Sequence, residues 1–300
     1  MWWPGFSRIY SVVVPVIALS MGVAGIALWL KPEGFEDLAL SDLNAQTIVN
    51  SLLFLHEPFG FDSSLVWNGP YWSLCYEVWY YVLFGIALYV RRWQRNFWLL
   101  LASCIAGPAI LLLFPVWLPG AVLARHGQRW LVRLCGPRRA WLGLVMAFLT
   151  AASIVIFADS NLDKALQQKL YAMIPGYWRL EGSQRFLTDF VVGLLVAGHF
   201  LAVRVATPML APALSYLQPL AVRLAGMSFS LYLFHRPLTK LSSHFFPNTA
   251  HSQSYGLGVA LAIMAIIAIL AQITEQHKEP YKRLVAWVLS RGNRELSPAV

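Results

Sequence analysis

The chain has 300 residues, of which 58% are hydrophobic and only 12% charged, and its mean hydropathy is +0.57. A soluble domain carries roughly a quarter of its residues as charges, so this composition excludes an ordinary soluble fold and points to an integral membrane protein. The formal charge of +9 is not a nucleic-acid signature, because the basic residues sit between apolar runs rather than on one soluble face, and no recognition module is visible. Cys75 and Cys104 lie in apolar runs and Cys135 in a basic loop, so no disulfide framework is expected.

The first apolar run, Ile9 to Leu30, comes after Arg8 and exceeds the roughly 20 residues needed to cross a bilayer. It is too long for the core of a secretory signal and is read as a span that stays. The loop 31–71 then carries Glu33, Glu36, Asp37, Asp42, Glu57 and Asp62, and its Thr47–Leu55 part is apolar enough to lie at the interface or pack on the bundle. His56 and Glu57 within it are read as chance neighbours.

A second span covers Trp72–Val90, entered through Asn68-Gly-Pro70, where proline's missing N–H does no harm. Ser73, Glu77 and Tyr81 are spaced four apart and share one helix face. An acid inside an apolar run is costly enough that function is its default reading. The bland alternative is a structural acid bonded to a neighbouring helix.

The piece from Phe97 to Ala124, interrupted by Pro108, Pro115 and Pro119, is long for one crossing and short for two. Lys and Arg collect in cytoplasmic loops, and arginines flank it on both sides: Arg91, Arg92 and Arg95 before it, Arg125, Arg129, Arg133, Arg138 and Arg139 after it. Two crossings are therefore expected, as a helical hairpin turning near Phe114–Pro115. Further spans lie at Ala140–Ala158, Phe186–Arg204, Ala221–Leu241 and Gly256–Thr274. The expected fold is an all-α membrane bundle of about eight transmembrane helices with both termini cytoplasmic. In that topology the inside segments hold 16 of the 23 Lys and Arg, and the outside loops 31–71 and 159–185 hold five. Residues 1–300 form a single transmembrane domain, and 276–300 is a cytoplasmic tail whose Tyr281–Leu289 part reads as an amphipathic surface helix.

A second polar feature lies in the span after Arg223. Ser228, Tyr232, His235 and Thr239 recur at three-to-four spacing and draw one polar stripe up an apolar helix, with Arg236 alongside. One histidine alone would be read as a packing residue; a stripe is read as the lining of a cavity. The seven histidines show no metal-ligand spacing, so no metal is expected, and no phosphate loop, nucleophile elbow or Cys-His pair appears.

These pieces, in this order, resemble the membrane acyltransferase-3 family. Trp72-Ser73-Leu74 with Glu77 and Tyr80-Tyr81 matches that family's Trp-Ser-Leu-x-x-Glu-x-x-Phe-Tyr helix, and Trp117-Leu-Pro-Gly120 approximates its small hairpin piece. Met227-Ser-Phe-Ser-Leu-Tyr-Leu-Phe-His235-Arg-Pro237 matches its Ser-Tyr-Ser-Leu-Tyr-Leu-x-His-x-Pro span, and Lys278-Glu279-Pro280 its closing motif. Arg8-Ile9-Tyr10 resembles the start of its third span. The family usually has ten spans, the first with a catalytic histidine; this chain starts where the third span would, so an N-terminally truncated relative is expected. Arg236 replaces an aromatic common between His and Pro.

The resemblance implies an enzyme of the cell (inner) membrane that moves an acyl group, commonly acetyl, from acyl-CoA to a hydroxyl. The acceptor would be a carbohydrate or small molecule. Acyl-CoA would be a co-substrate, with no bound cofactor. On this reading Glu77 and His235 are catalytic, Trp72, Ser73, Tyr81, Ser228, Tyr232 and Arg236 bind substrate, and Arg8 attracts the phosphates of CoA. Two other readings are a non-catalytic relative that binds CoA or glycan, and a transporter using the same stripe.

Overall fold

The computed structural model describes residues 3–30, 43–58, 64–134, 136–245 and 253–276, and these contain helices but no strand. In chain order they are α1 (Trp3–Leu30), α2 (Ala45–Leu52), α3 (Tyr71–Tyr89), α4 (Arg92–Leu134), α5 (Pro137–Asp159), α6 (Leu162–Met173), a short 3₁₀ helix (Tyr177–Ser183), α7 (Phe186–Leu214), α8 (Gln218–Phe245) and α9 (Gln253–Ala271), which ends in a π-helical turn (Gln272–Gln276). Five described helices are long and apolar enough to cross a membrane: α1, α4, α5, α7 and α9. The expected spans around Glu77 and His235 are helical as well, as α3 and α8, and neither is among these five. The acidic stretch 31–42 and the tail with Lys278-Glu279-Pro280 and Tyr281–Leu289 lie outside the described residues.

The chain divides into two compact units, one formed by Met1–His56, Asp62–Cys75 and Pro219–Val300, the other by Glu57–Phe61 and Tyr76–Gln218. In the first, α1 is the central element: half of its apolar window is buried, against 11% for α9. Segments 43–56 and 64–67 both pack in this unit. Leu43 packs beside Gly25, and the Tyr10 hydroxyl, fifteen residues earlier on α1, donates to the Leu52 carbonyl at 2.9 Å. Fifteen residues of helix span about 22 Å, so α2 runs back along much of α1. Val66 and Trp67 then return to the cluster around Ala24 and Ala27. Non-helical backbone at such a position is tolerated where protein buries it.

The segment closes α2 through Phe54, which adopts a left-handed φ of 55° while Leu55 N–H donates to Asn50 O at 2.8 Å. Glycine usually takes this position. Phe54 holds it through packing: it is 2% exposed, stacks on Tyr71 and meets Tyr10 edge-on. Beside it, His56 is 4% exposed, touches Tyr71, and has no hydrogen-bond partner on either ring nitrogen among the described residues.

In the second unit α5 packs against α7, and α7 against α4. Gly143 makes the first contact possible: a Cβ there would lie 2.7 Å from the backbone nitrogen of Ala206 and 2.9 Å from the carbonyl oxygen of Ala202. Small residues at such crossings let membrane helices approach backbone to backbone. The outward side of α5 is apolar, with Phe148, Val155 and Ile156 73%, 67% and 70% exposed, as a lipid-facing surface requires.

The expected turn at Phe114–Pro115 is not where the chain breaks. α4 stays helical through Pro115 and Pro119, and its one non-helical residue is Gly107, at φ 78° and ψ 172°. That φ is open to glycine and strained for other residues, and Pro108 directly after it suits the first position of a new helix. From Pro108 to Leu134 the chain is one helix, about 40 Å long.

The crossing at Gly143 sets a test of stability. Gly143→Ala drives a methyl into the α7 backbone and lowers the melting temperature of the detergent-solubilised protein, and Gly143→Leu abolishes the folded species in size-exclusion chromatography; an unchanged melting temperature for both overturns the close contact. His56 sets another. Burial pushes its pKa down to about 4. The unfolded chain, with an ordinary pKa of 6.5, takes up the proton first, so stability is full above pH 6.5 and falls on acidification toward pH 4, by about 3 kcal/mol in all. The melting temperature is expected to drop between pH 7 and pH 5, with a shallower drop in His56→Phe.

Candidate functional site at the start of α3 and the middle of α8

The Trp-Ser-Leu stretch and the Ser-Leu-Tyr-Leu-x-His-x-Pro stretch meet in the first unit, and the reason is a proline. Pro237 has no N–H, so it cannot donate to the carbonyl four residues earlier, that of Leu233. Leu233 is fully buried, and an unpaired carbonyl there would cost about 1–3 kcal/mol. Asn68, 1% exposed at the entry to α3, fills the vacancy: its Nδ2 donates to Leu233 O at 3.0 Å.

One residue along, Tyr232 makes the second tie. Its hydroxyl lies 2.7 Å from Ser73 Oγ and 3.1 Å from Pro70 O, and Ser73 Oγ donates to the same carbonyl at 3.0 Å. The other end of this entry is fixed by Tyr71, whose hydroxyl donates to Ser51 O at 2.9 Å, and by Cys75, whose Sγ donates to Phe54 O at 3.0 Å. Lower on α8, Ser230 Oγ is 3.3 Å from Thr274 Oγ1, both buried.

His235 stands three residues beyond Tyr232, ring centroids 6.4 Å apart. Its Nδ1 lies 2.8 Å from Tyr232 O and 3.1 Å from Leu231 O. Carbonyl oxygens only accept, so Nδ1 carries the proton, and in the neutral ring Nε2 keeps its lone pair. His235 lines a cavity of about 280 Å³ between α8 and α9, together with Thr239, Ser242 and Ser243. Half-buried, lone-pair-bearing and fixed in tautomer, it has the chemistry of a general base.

Of the residues singled out from sequence, Ser73, Tyr232 and His235 are brought together here. Ser228 is not: it is exposed and donates to Ala225 O on its own helix. Trp72 and Arg236 are exposed on the same two helices. Glu77 and Tyr81 belong to the second unit, where the Tyr81 hydroxyl donates to Glu77 Oε1 and Glu77 is half-buried. Trp117 packs edge-on against Tyr81 and Phe84, so the small Trp-Leu-Pro-Gly piece of α4 supports the lower part of α3. Arg8 lies in the second turn of α1, and its side chain is not among those described. Asn68 is the residue that sequence reasoning misses. Its signal is nonetheless present: a buried-type amide ahead of one motif, and a proline four residues after a carbonyl in the other.

A double-mutant cycle tests this linkage. Asn68→Ala is expected to destabilise by about 1–3 kcal/mol, and Pro237→Ala, which restores a donor for Leu233 O, is expected to suppress most of that loss. Additive effects in thermal or denaturant unfolding would sever the connection between the two residues.

Residues 1–273 match the family model described as an acyltransferase domain. No curated protein and no solved structure gives a match. The match spans nearly the whole chain, including both motif-bearing helices and the Asn68–Leu233 and Tyr232–Ser73 contacts, and the protein belongs to the membrane acyltransferase-3 family.

Proposed function

We propose that the protein transfers an acyl group, acetyl above all, from acyl-CoA to a hydroxyl of a glycan or other extracytoplasmic acceptor, with His235 as the base. The observation that carries this reading is the tautomer of His235. Its Nδ1–H is committed to the backbone of α8 and Nε2 belongs to a ring that lines the cavity. In the proposed step Nε2 takes the proton of the acceptor hydroxyl as its oxygen attacks the thioester carbonyl. The C–S bond then breaks, and the leaving CoA sulfur receives the proton from Nε2, which restores the neutral ring. Tyr232, anchored to Ser73 and Pro70, keeps the helix turn beneath His235 in place. Arg8 is assigned to the phosphates of CoA by charge. Glu77 is a supporting carboxylate, held by Tyr81.

The test uses purified protein in vesicles of its own host membrane, with radiolabelled acetyl-CoA and base-labile ester product as the readout. His235→Ala is expected to lower transfer by about a hundredfold or more, with an unchanged melting temperature. Glu77→Gln, whose amide oxygen still accepts from Tyr81, is expected to fold normally and lose about tenfold. Full activity in a well-folded His235→Ala removes this histidine from the mechanism, and full activity in Glu77→Gln makes that acid structural.

A further inference from the structure

The short helix α6 is tied to the membrane boundary along its length. Ser160 and Asn161 alone separate it from α5, and α5 and α7 are both long and apolar enough to cross a bilayer. That connection reaches about 11 Å at most, so α6 starts close to the level at which α5 ends. Its other ties run to the entry of α7. Asp163 Oδ2 accepts from Arg185 at 3.1 Å, Gln167 Nε2 donates to Gln184 Oε1 at 2.5 Å, and the Tyr171 hydroxyl accepts from Gln184 Nε2 at 3.3 Å. Gln184 and Arg185 directly precede Phe186, the first residue of α7. Contacts spread from Asp163 to Tyr171 hold about 12 Å of helix, so α6 lies along the boundary and does not stand away from it.

Residues advance about 100° per step around a helix, and α6 sorts into three sides. Asp163, Leu166, Gln167 and Leu170 are half-buried and face the protein, and no residue of the helix is fully buried. The remaining residues are exposed and divide by chemistry. Lys164, Gln168 and Tyr171 form a polar side. Leu162, Ala165, Lys169, Ala172 and Met173 form an apolar one, on which Leu162 is 50% and Met173 77% exposed. Lys169 is its single charge, and a lysine stem lies along apolar surface while its ammonium reaches the lipid phosphates. The centres of the three sides stand about a third of a turn apart. A helix held on one side by protein at a bilayer surface has two directions left, water and hydrocarbon, and the two exposed sides match them.

We propose that α6 is an interfacial helix, and that the partner of its Leu162–Met173 side is the lipid surface of the leaflet in which α5 ends. Seated there, α6 holds the entry of α7 at the depth of the headgroups through Gln184 and Arg185. The inference depends neither on the acyl-transfer reading nor on which face of the membrane is cytoplasmic. Its test starts from protein carrying Cys104→Ala and Cys135→Ala, which leaves Cys75, fully buried, as the one native thiol. Single nitroxide labels are introduced through Leu162→Cys, Ala165→Cys, Met173→Cys, Lys164→Cys or Gln168→Cys, and each protein is reconstituted in vesicles of phosphatidylethanolamine and phosphatidylglycerol. Power-saturation EPR then compares collisions with oxygen, which concentrates in hydrocarbon, and with nickel ethylenediaminediacetate, which stays in water.

Oxygen collisions are expected to dominate at Leu162, Ala165 and Met173, and nickel collisions at Lys164 and Gln168. Any ranking that fails to separate these two sets overturns the proposal. A nickel preference at every position leaves the apolar side in water, bare or against a soluble partner. An oxygen preference at every position sinks the whole helix into hydrocarbon. Either result removes the interfacial seat.

Discussion

One missing hydrogen organises the first unit. Pro237 deprives the Leu233 carbonyl of its helical donor, and the vacancy is filled from Asn68, 165 residues earlier in the chain. With that bond in place, Tyr232 falls beside Ser73 and Pro70, and the turn that carries His235 is fixed against the entry of α3. A proline in a helix is commonly regarded as a defect to be tolerated. Here the defect is the recognition element, because it creates an acceptor that one residue elsewhere is placed to meet.

The second unit is held in a different manner. Its contacts are close backbone crossings and aromatic packing, with Gly143 against α7, Gly193 against Val116, and Trp117 among Tyr80, Tyr81 and Phe84. Few polar groups bridge its described helices; Thr150 with His199 is one, and Tyr76 through Ser183 to the Ala109 carbonyl is another. Water is absent from the bilayer core and lipid chains are as apolar as leucine, so burial of hydrocarbon gives such helices little reason to associate. Shape does that work instead. The exposed leucines, valines and phenylalanines of α5 and α7 belong on the lipid side of this arrangement and need no partner.

Much of this is legible in the sequence. Composition and the length of the apolar runs point to a helical membrane protein, and three-to-four spacing puts Ser73, Glu77 and Tyr81 on one face and Tyr232, His235 and Thr239 on another. The break in α4 is misplaced because Pro108, Pro115 and Pro119 look alike as letters. Neighbouring helices can absorb a proline within a span, whereas the φ of 78° at Gly107 is suited to glycine, and the glycine before a proline is the better signal. The apolar letters of Thr47–Leu55 allow packing on the bundle, but how far α2 runs along α1 is set by partners such as Tyr10 and Gly25 that hydropathy does not name. Pairings such as Asn68 with Leu233 are invisible to any local pattern. Periodicity reports which face a residue occupies and is silent on what that face will meet.

The Asn68–Leu233 bond also bears on how the protein is made. A ribosome releases Asn68 long before α8, so α3 is in place when α8 emerges. Until the two meet, α8 carries a carbonyl in its middle that neither its own backbone nor lipid can satisfy. That open acceptor marks α8 as a helix that enters the membrane incomplete and is finished by an earlier part of the chain. The helix is complete only with α3 beside it, so the proline makes one span depend on another for its own backbone.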